Sequence, residues 1–230
     1  MKDIMTTTPL FGIVISFLAI EIGKFLSKKF KLAIFNPFLI SVIFVIVVLK
    51  GFDIPYDDYM KGGNLLMFFL GPATIVLGIL LYKQIEFLKK YFVAVIVGCL
   101  VGCIVSAASI VILCKVFNID QNLIFSLLPK SITTPVGIEM AKMLGVDPSI
   151  TIVFIAITGT IGGVLSPIIC KLSGITDPIA IGVGIGTSTH IIGTAKAVEI
   201  GELEGAMSAT SIVISALITL VIVPIAVKFI

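Results

Sequence analysis

The sequence predicts an all-α polytopic membrane protein: six full spans plus two discontinuous or re-entrant helical segments, related as an inverted repeat. Three observations predict it. The 230 residues are 58% apolar and 13% charged, whereas a soluble domain carries about 25% charged residues. Six apolar runs each approach the ~20 residues that cross a bilayer. Two polar stretches interrupt this apolar background, PKSITTPVGIEMAKMLG at 129–145 and GTSTHIIGTAKAVEIG at 186–201. Irregular polar backbone at bilayer depth is tolerated only where protein covers it or where it lines a cavity.

The expected spans are Leu10–Leu26, Ile34–Leu49, Leu65–Tyr82, Phe92–Phe117, Ile150–Cys170 and Ala206–Phe229. Thr6-Thr7-Thr8-Pro9 reads as a capped helix start, and no small-residue cleavage site follows, so the first run is expected to be retained. Asn36-Pro37 opens the second run as a cap and a helix-starting Pro. Gly71-Pro72 should kink the third run, for packing or for a substrate path. Lys24, Lys28, Lys29 and Lys31 follow the first run, and Lys83, Lys89 and Lys90 follow the third. The loop after the second, GFDIPYDDYMKGG, holds three Asp. The positive-inside rule puts the Lys-rich loops in the cytoplasm, with the Asp-rich loop and the N-terminus outside. Glu21 with Lys24 reads as a local ion pair on the first helix.

Composition also excludes classes of function. The net charge of +3 is scattered between the spans and gives no nucleic-acid footprint. All 16 basic residues are Lys, so no bidentate guanidinium is available for a carboxylate. Cys99, Cys103, Cys114 and Cys170 read as packing residues and imply neither a disulfide framework nor a metal site. No His/Glu metal motif and no Ser–His pairing is present, so no enzyme and no cofactor is expected.

The domain reading is a four-span scaffold over 1–117 and a binding unit over 118–230, with broken segments at 123–145 and 178–201. In the first segment, Thr134-Pro135 reads as an N-cap and a first-turn Pro, and Gly145 as a helix stop. That places a helix N-terminus beside Lys130, Ser131 and Thr133, which together make an anion site. In the second, Gly182, Gly184 and Gly186 lead to Thr187, Ser188, Thr189 and His190, with a helix expected from about Thr189 to Gly201. Thr134, Ala141-Lys142 and Gly145 have counterparts in Thr189, Ala195-Lys196 and Gly201, and each following helix ends in Pro-Ile. If both segments re-enter, the units are inverted and their tips meet near the midplane; if both span, there are eight spans and the repeats are parallel. The candidate substrate-binding residues are Lys130, Ser131, Thr133, Thr134, Thr187, Ser188, Thr189, His190 and Thr194, with His190 and Glu139 as coupling candidates. GTIGG at 159–163 reads as a helix-contact stretch.

The two polar segments, with LGPATIVLGILLYKQ at 70–84, resemble the LrgB/CidB family of bacterial membrane proteins over nearly the whole chain. Members commonly carry S-H-G-I-G-T-A-R where this chain reads Thr189-His190-Ile191-Ile192-Gly193-Thr194-Ala195-Lys196. The small residue after His is thus Ile191, and the Arg is Lys196. The resemblance implies either of two functions. One is antiholin-like regulation of murein hydrolase activity and lysis, with a small holin-like partner. The other is monocarboxylate movement, as in plastid glycolate/glycerate transporters and bacterial members linked to pyruvate. The residues favour transport, and the resemblance implies pyruvate, lactate, glycolate or glycerate as the substrate, carried across the cytoplasmic membrane; a homodimer in the lipid bilayer is expected.

Overall fold

The computed structural model describes residues 8–30, 37–69, 71–72, 75–76, 79, 82 and 85–230, with the side chains of 87 and 88 excepted. The described residues are helical: α1 Pro9–Phe30, α2 Pro37–Gly51, α3 Tyr56–Phe68, α4 Ile85–Lys90, α5 Phe92–Val116, α6 Gln121–Leu127, α7 Thr134–Met143, α8 Pro148–Leu172, α9 Pro178–Ile200 and α10 Glu202–Val227. Four of these (α1, α5, α8 and α10) are long and apolar enough to cross a membrane, and α2 is a shorter apolar helix. The expected caps Thr6 and Thr7, Lys31, the start of the second run at 34–36, Lys83 and much of the third run lie outside the described residues.

The chain forms two compact units, 1–73 and 74–230. Compactness therefore divides it before the fourth span, which packs on α9 and α10. In the first unit, glycines let helices touch. A Cβ on Gly62 of α3 would lie 2.7 Å from Gly12 Cα of α1. Ser41 Oγ of α2 donates to Ala19 O of α1 at 2.9 Å, and Ser16 Oγ lies 2.8 Å from Tyr59 Oη. The Asp-rich stretch expected as a loop is largely α3. Asp57 and Asp58 sit in its first turn, where the helix dipole favours carboxylates, and Lys61 pairs with Asp58 at 2.7 Å. Glu21 and Lys24 form the expected ion pair at 2.8 Å.

One turn design recurs between helices. Asn118, Gly145 and Gly174 adopt positive φ after α5, α7 and α8. In each case the next amide reaches back to close the helix: Ile119 N–H to Cys114 O, Val146 N–H to Ala141 O, and Ile175 N–H to Cys170 O. Asp120, Asp147 and Asp177 then cap α6, α8 and α9 through side-chain oxygens.

Register within the second unit follows from close contacts. Gly98 and Gly102 of α5 pack on Val183 and Thr187, while Cys99 and Cys103 point at the carbonyls of Ser211 and Ser215. So α5, the first half of α9 and α10 run parallel. α8 runs the other way, with Gly162 against Thr189 and Gly159 against His190. At His190 the helix breaks, with φ 45° and ψ −143°. The second half then doubles back. Residues 204–208 of α10 meet Gly182 and Gly186 on the inward half, and Thr194 and Val198 on the outward half. α6 and α7 form a similar hairpin from the opposite end. Ile124 and Leu128 pack with Ala107, Ile110 and Cys114 of α5 as the chain enters, and Gly137 packs on Thr151 and Ile155 of α8 as it returns.

Ile155, Gly159 and Gly162 fix the depth of both tips. At ~1.5 Å per residue they lie about 10, 16 and 21 Å along the ~37 Å of α8. The outer faces are apolar, with Val101, Val105, Ile157, Ile161, Leu217 and Val221 exposed. The interior holds buried Thr187, His190, Ser208, Ser211 and Ser215. Apolar outside and hydroxyl-rich inside is the arrangement a bilayer solvent selects. The protein is a multi-pass helical membrane protein.

Two glycines one turn-half apart on α9 give opposite predictions. Gly186→Ala forces a Cβ into the Ser208 backbone, whereas Gly184 has nothing within 4 Å. Gly186→Ala should lower the thermal midpoint in detergent by several degrees, from an overpacking cost of about 1–3 kcal/mol. Gly184→Ala should leave it unchanged or raise it, as Ala propagates a helix better than Gly.

Candidate functional site at the two helix breaks

Pro129 cannot continue a helix with the geometry of α6, and the chain from 128 to 133 is non-helical before α7 begins. The N-cap is Thr133 and Pro135 occupies the second helical position. The cap lies one residue ahead of Thr134 because Pro135 is accommodated anywhere in the first turn, where its missing N–H has no partner to lose. Thr133 is 1% exposed. Lys130 is half-buried, and its ammonium donates to Ser131 Oγ at 3.3 Å and Ser106 Oγ at 3.5 Å. Among the described residues no carboxylate lies within ion-pair distance of it.

The second break differs from expectation. α9 begins at Pro178 under the Asp177 cap, and Gly182 and Gly186 are helix-contact positions rather than breakers. The break is made by His190, in a backbone region that a non-Gly residue occupies at a cost of about 1–3 kcal/mol. Two contacts hold it there. His190 Nε2–H donates to Ile155 O at 2.9 Å, and the ring lies on Gly159, where a Cβ would collide with it. A carbonyl only accepts, so Nε2 carries a proton in this bond.

The returning half-helix therefore starts at Ile191, not Thr189. Thr187, Ser188 and Thr189 lie at the carbonyl end of the inward half. Thr189 Oγ1 donates to Ile185 O at 2.6 Å, and exposed Ser188 donates to Gly184 O at 2.7 Å, on a face away from the other candidates. Thr194 donates to His190 O at 3.0 Å and lies 2.7 Å from Ser208 Oγ. Glu139 is exposed and paired with Lys142 at 2.7 Å, and Lys196 pairs likewise with Glu199 at 2.6 Å.

The tips share a small cavity. Ser131 of the first and Thr187 of the second line it with Ser106, Cys103, Thr219 and Leu128. Its free volume of about 10 Å³ holds about one water molecule. Ile155 joins the breaks from behind: its side chain packs on Gly137 and its carbonyl binds His190. The cavity thus gathers hydroxyl donors near an ammonium that has no counter-ion among the described residues, close to the N-terminus of α7. Such a site complements an anion. Sequence reasoning missed Ser106, Thr219 and the Ile155 carbonyl. The spacing of Ser211, Ser215 and Thr219 against Cys99 and Cys103 was a signal, since both series repeat every four residues and mark mating helix faces.

Comparisons with known proteins identify a family for the chain. The profile described as the LrgB-like family matches residues 16–229. Antiholin-like protein LrgB of Bacillus mycoides (strain KBAB4) is 34% identical over 226 residues, covering 98% of both chains. The proteins of the same name from Bacillus cereus (strain B4264) and Bacillus anthracis (strain CDC 684 / NRRL 3495) match to the same extent. No solved structure matches significantly. A profile that runs almost from end to end and relatives aligned over their full length lead to one conclusion: the chain belongs to the LrgB-like family.

Proposed function

We propose that this chain moves small monocarboxylates of the pyruvate, lactate, glycolate or glycerate type across the cytoplasmic membrane. The observation that carries this reading is the meeting of two helix breaks at mid-depth beside Lys130, an ammonium with no counter-ion among the described residues. A charge at that depth is costly and marks a substrate path by default. The carboxylate lies between Lys130 and the start of α7, and hydroxyls of Ser131 and Thr187 bond its remaining oxygens. His190 binds the substrate or carries a proton through Nδ1. Read as inverted repeats, the two hairpin units suit alternating access about this point. With the Lys-rich loops inside, the first hairpin enters from outside and the second from the cytoplasm. The cavity is too small for a substrate, as in an occluded conformation, so transport requires the hairpins to part. No chemical step and no cofactor enters the reading, and a homodimer is the expected assembly.

A second reading is supported by the comparisons, and more directly than the first. The relatives are named antiholin-like. Under that reading the chain regulates murein hydrolase activity and lysis together with a small holin-like membrane partner. The discriminating property is autonomy: a transporter moves substrate alone, and a regulator needs its partner.

Proteoliposomes containing only this protein should accumulate labelled pyruvate or glycolate with saturation. Lys130→Ala should reduce uptake by roughly 30-fold or more, as expected when a desolvated charge partner is removed. His190→Gly should do the same while keeping the break, because Gly accepts the backbone angles that His190 occupies. No saturable uptake by folded wild-type protein, with lysis effects appearing only beside a holin-like partner, would select the second reading.

Gly159→Ala should displace the imidazole and lower uptake on the order of tenfold or more. Gly163→Ala should be tolerated, since its nearest contact is an ordinary 3.6 Å to Ile192 O. Equal activity of the two variants would remove His190 from the proposed role.

A further inference from the structure

We infer that Thr151, on α8, is a ligand-contacting residue whose hydroxyl joins that of Thr133 in donating hydrogen bonds to a bound carboxylate at the start of α7. This deepens the monocarboxylate reading and rests on it. Thr133 and Thr151 are 1% and 0% exposed, and among the described residues neither hydroxyl has a hydrogen-bond partner. Other buried hydroxyls in the same unit are satisfied by their own helices: Ser126 by Asn122 O, Thr189 by Ile185 O, Thr210 by Ala206 O and Ser211 by Met207 O. A buried polar group left without a partner is costly, and native proteins rarely keep one without a reason.

Both residues adjoin Gly137 of α7. Thr133 is the N-cap of α7 and makes no side-chain cap bond, while its carbonyl accepts from Gly137 N–H at 2.9 Å. At Gly137 α8 packs tightly: a Cβ there would collide with Ile155 and lie 3.7 Å from the Thr151 methyl. The environment selects the ligand's sign. A helix N-terminus and the Lys130 ammonium three residues earlier in the chain disfavour a cation. A carboxylate presents acceptors only, and two unpartnered hydroxyls supply donors.

The test uses full-length protein in detergent, with thermal midpoints and titration of pyruvate and glycolate. Thr151→Val removes the hydroxyl and keeps the branched shape. Without ligand it should melt at the wild-type temperature or higher, since an orphan is removed. Its affinity for the acids should fall about tenfold or more, the usual loss for a hydrogen bond to a charged group. Thr133→Val should behave alike, and Thr151→Ser should keep most of the affinity. Unchanged affinity in Thr151→Val would overturn the inference and leave the hydroxyl to a buried water. A large fall in its unliganded melting temperature would overturn it too, by showing that the hydroxyl is already satisfied within the fold. Failure of the wild-type protein to bind either acid would instead remove the monocarboxylate reading itself, and this inference with it.

Discussion

The second unit is organised around the helix break at His190, whose Nε2–H donates to the carbonyl of Ile155. Inside a bilayer a broken helix is stable only when protein supplies partners for what the break frees. Here a residue with a costly backbone conformation is held by an intact helix, through one hydrogen bond and through the space left by Gly159. The returning half-helix, the packing of Thr194 on Ser208 and the position of Thr187 at the cavity all follow from that fixed point.

The surrounding helices explain why the hairpins can be held so deep. Lipid tails give no hydrophobic reason for helices to associate, so close approach and hydrogen bonds must do it. Glycines 98, 102, 159, 162 and 186 each bring a neighbour to within the reach of a methyl group. Thr187 Oγ1 to Cys99 Sγ, and Thr219 Oγ1 to Cys103 Sγ, add polar contacts at 3.3 and 3.5 Å. Both thiols are therefore packing groups on a mating face, each also facing a carbonyl of α10.

Much of this was legible in the sequence. Four of the six apolar runs gave the long helices, Pro135 and Gly145 gave both ends of α7 to within a residue, and the two polar segments located the breaks. GTIGG read correctly as a contact surface, and what it contacts is the tip of the second hairpin. The start of the returning half-helix was not legible. Glycine in a water-soluble chain suggests a breaker, whereas in lipid Gly182 and Gly186 serve close packing and leave the helix intact. His190 gave no local sign of positive φ, because that conformation is imposed by α8, far away in sequence. Ser188 shares the composition of its neighbours and differs only in facing outward, which a short run of hydroxyls cannot reveal.

The central claim is that two hairpins entering from opposite ends place their tips at one mid-membrane cavity. Its most direct test is cross-linking in a cysteine-free background between Ser131→Cys, on the first tip, and Thr187→Cys, on the second, in native membranes. The two positions line the same cavity, so a short bifunctional thiol reagent should bridge them within one chain. Absence of bridging, with each cysteine separately reactive, would contradict the account.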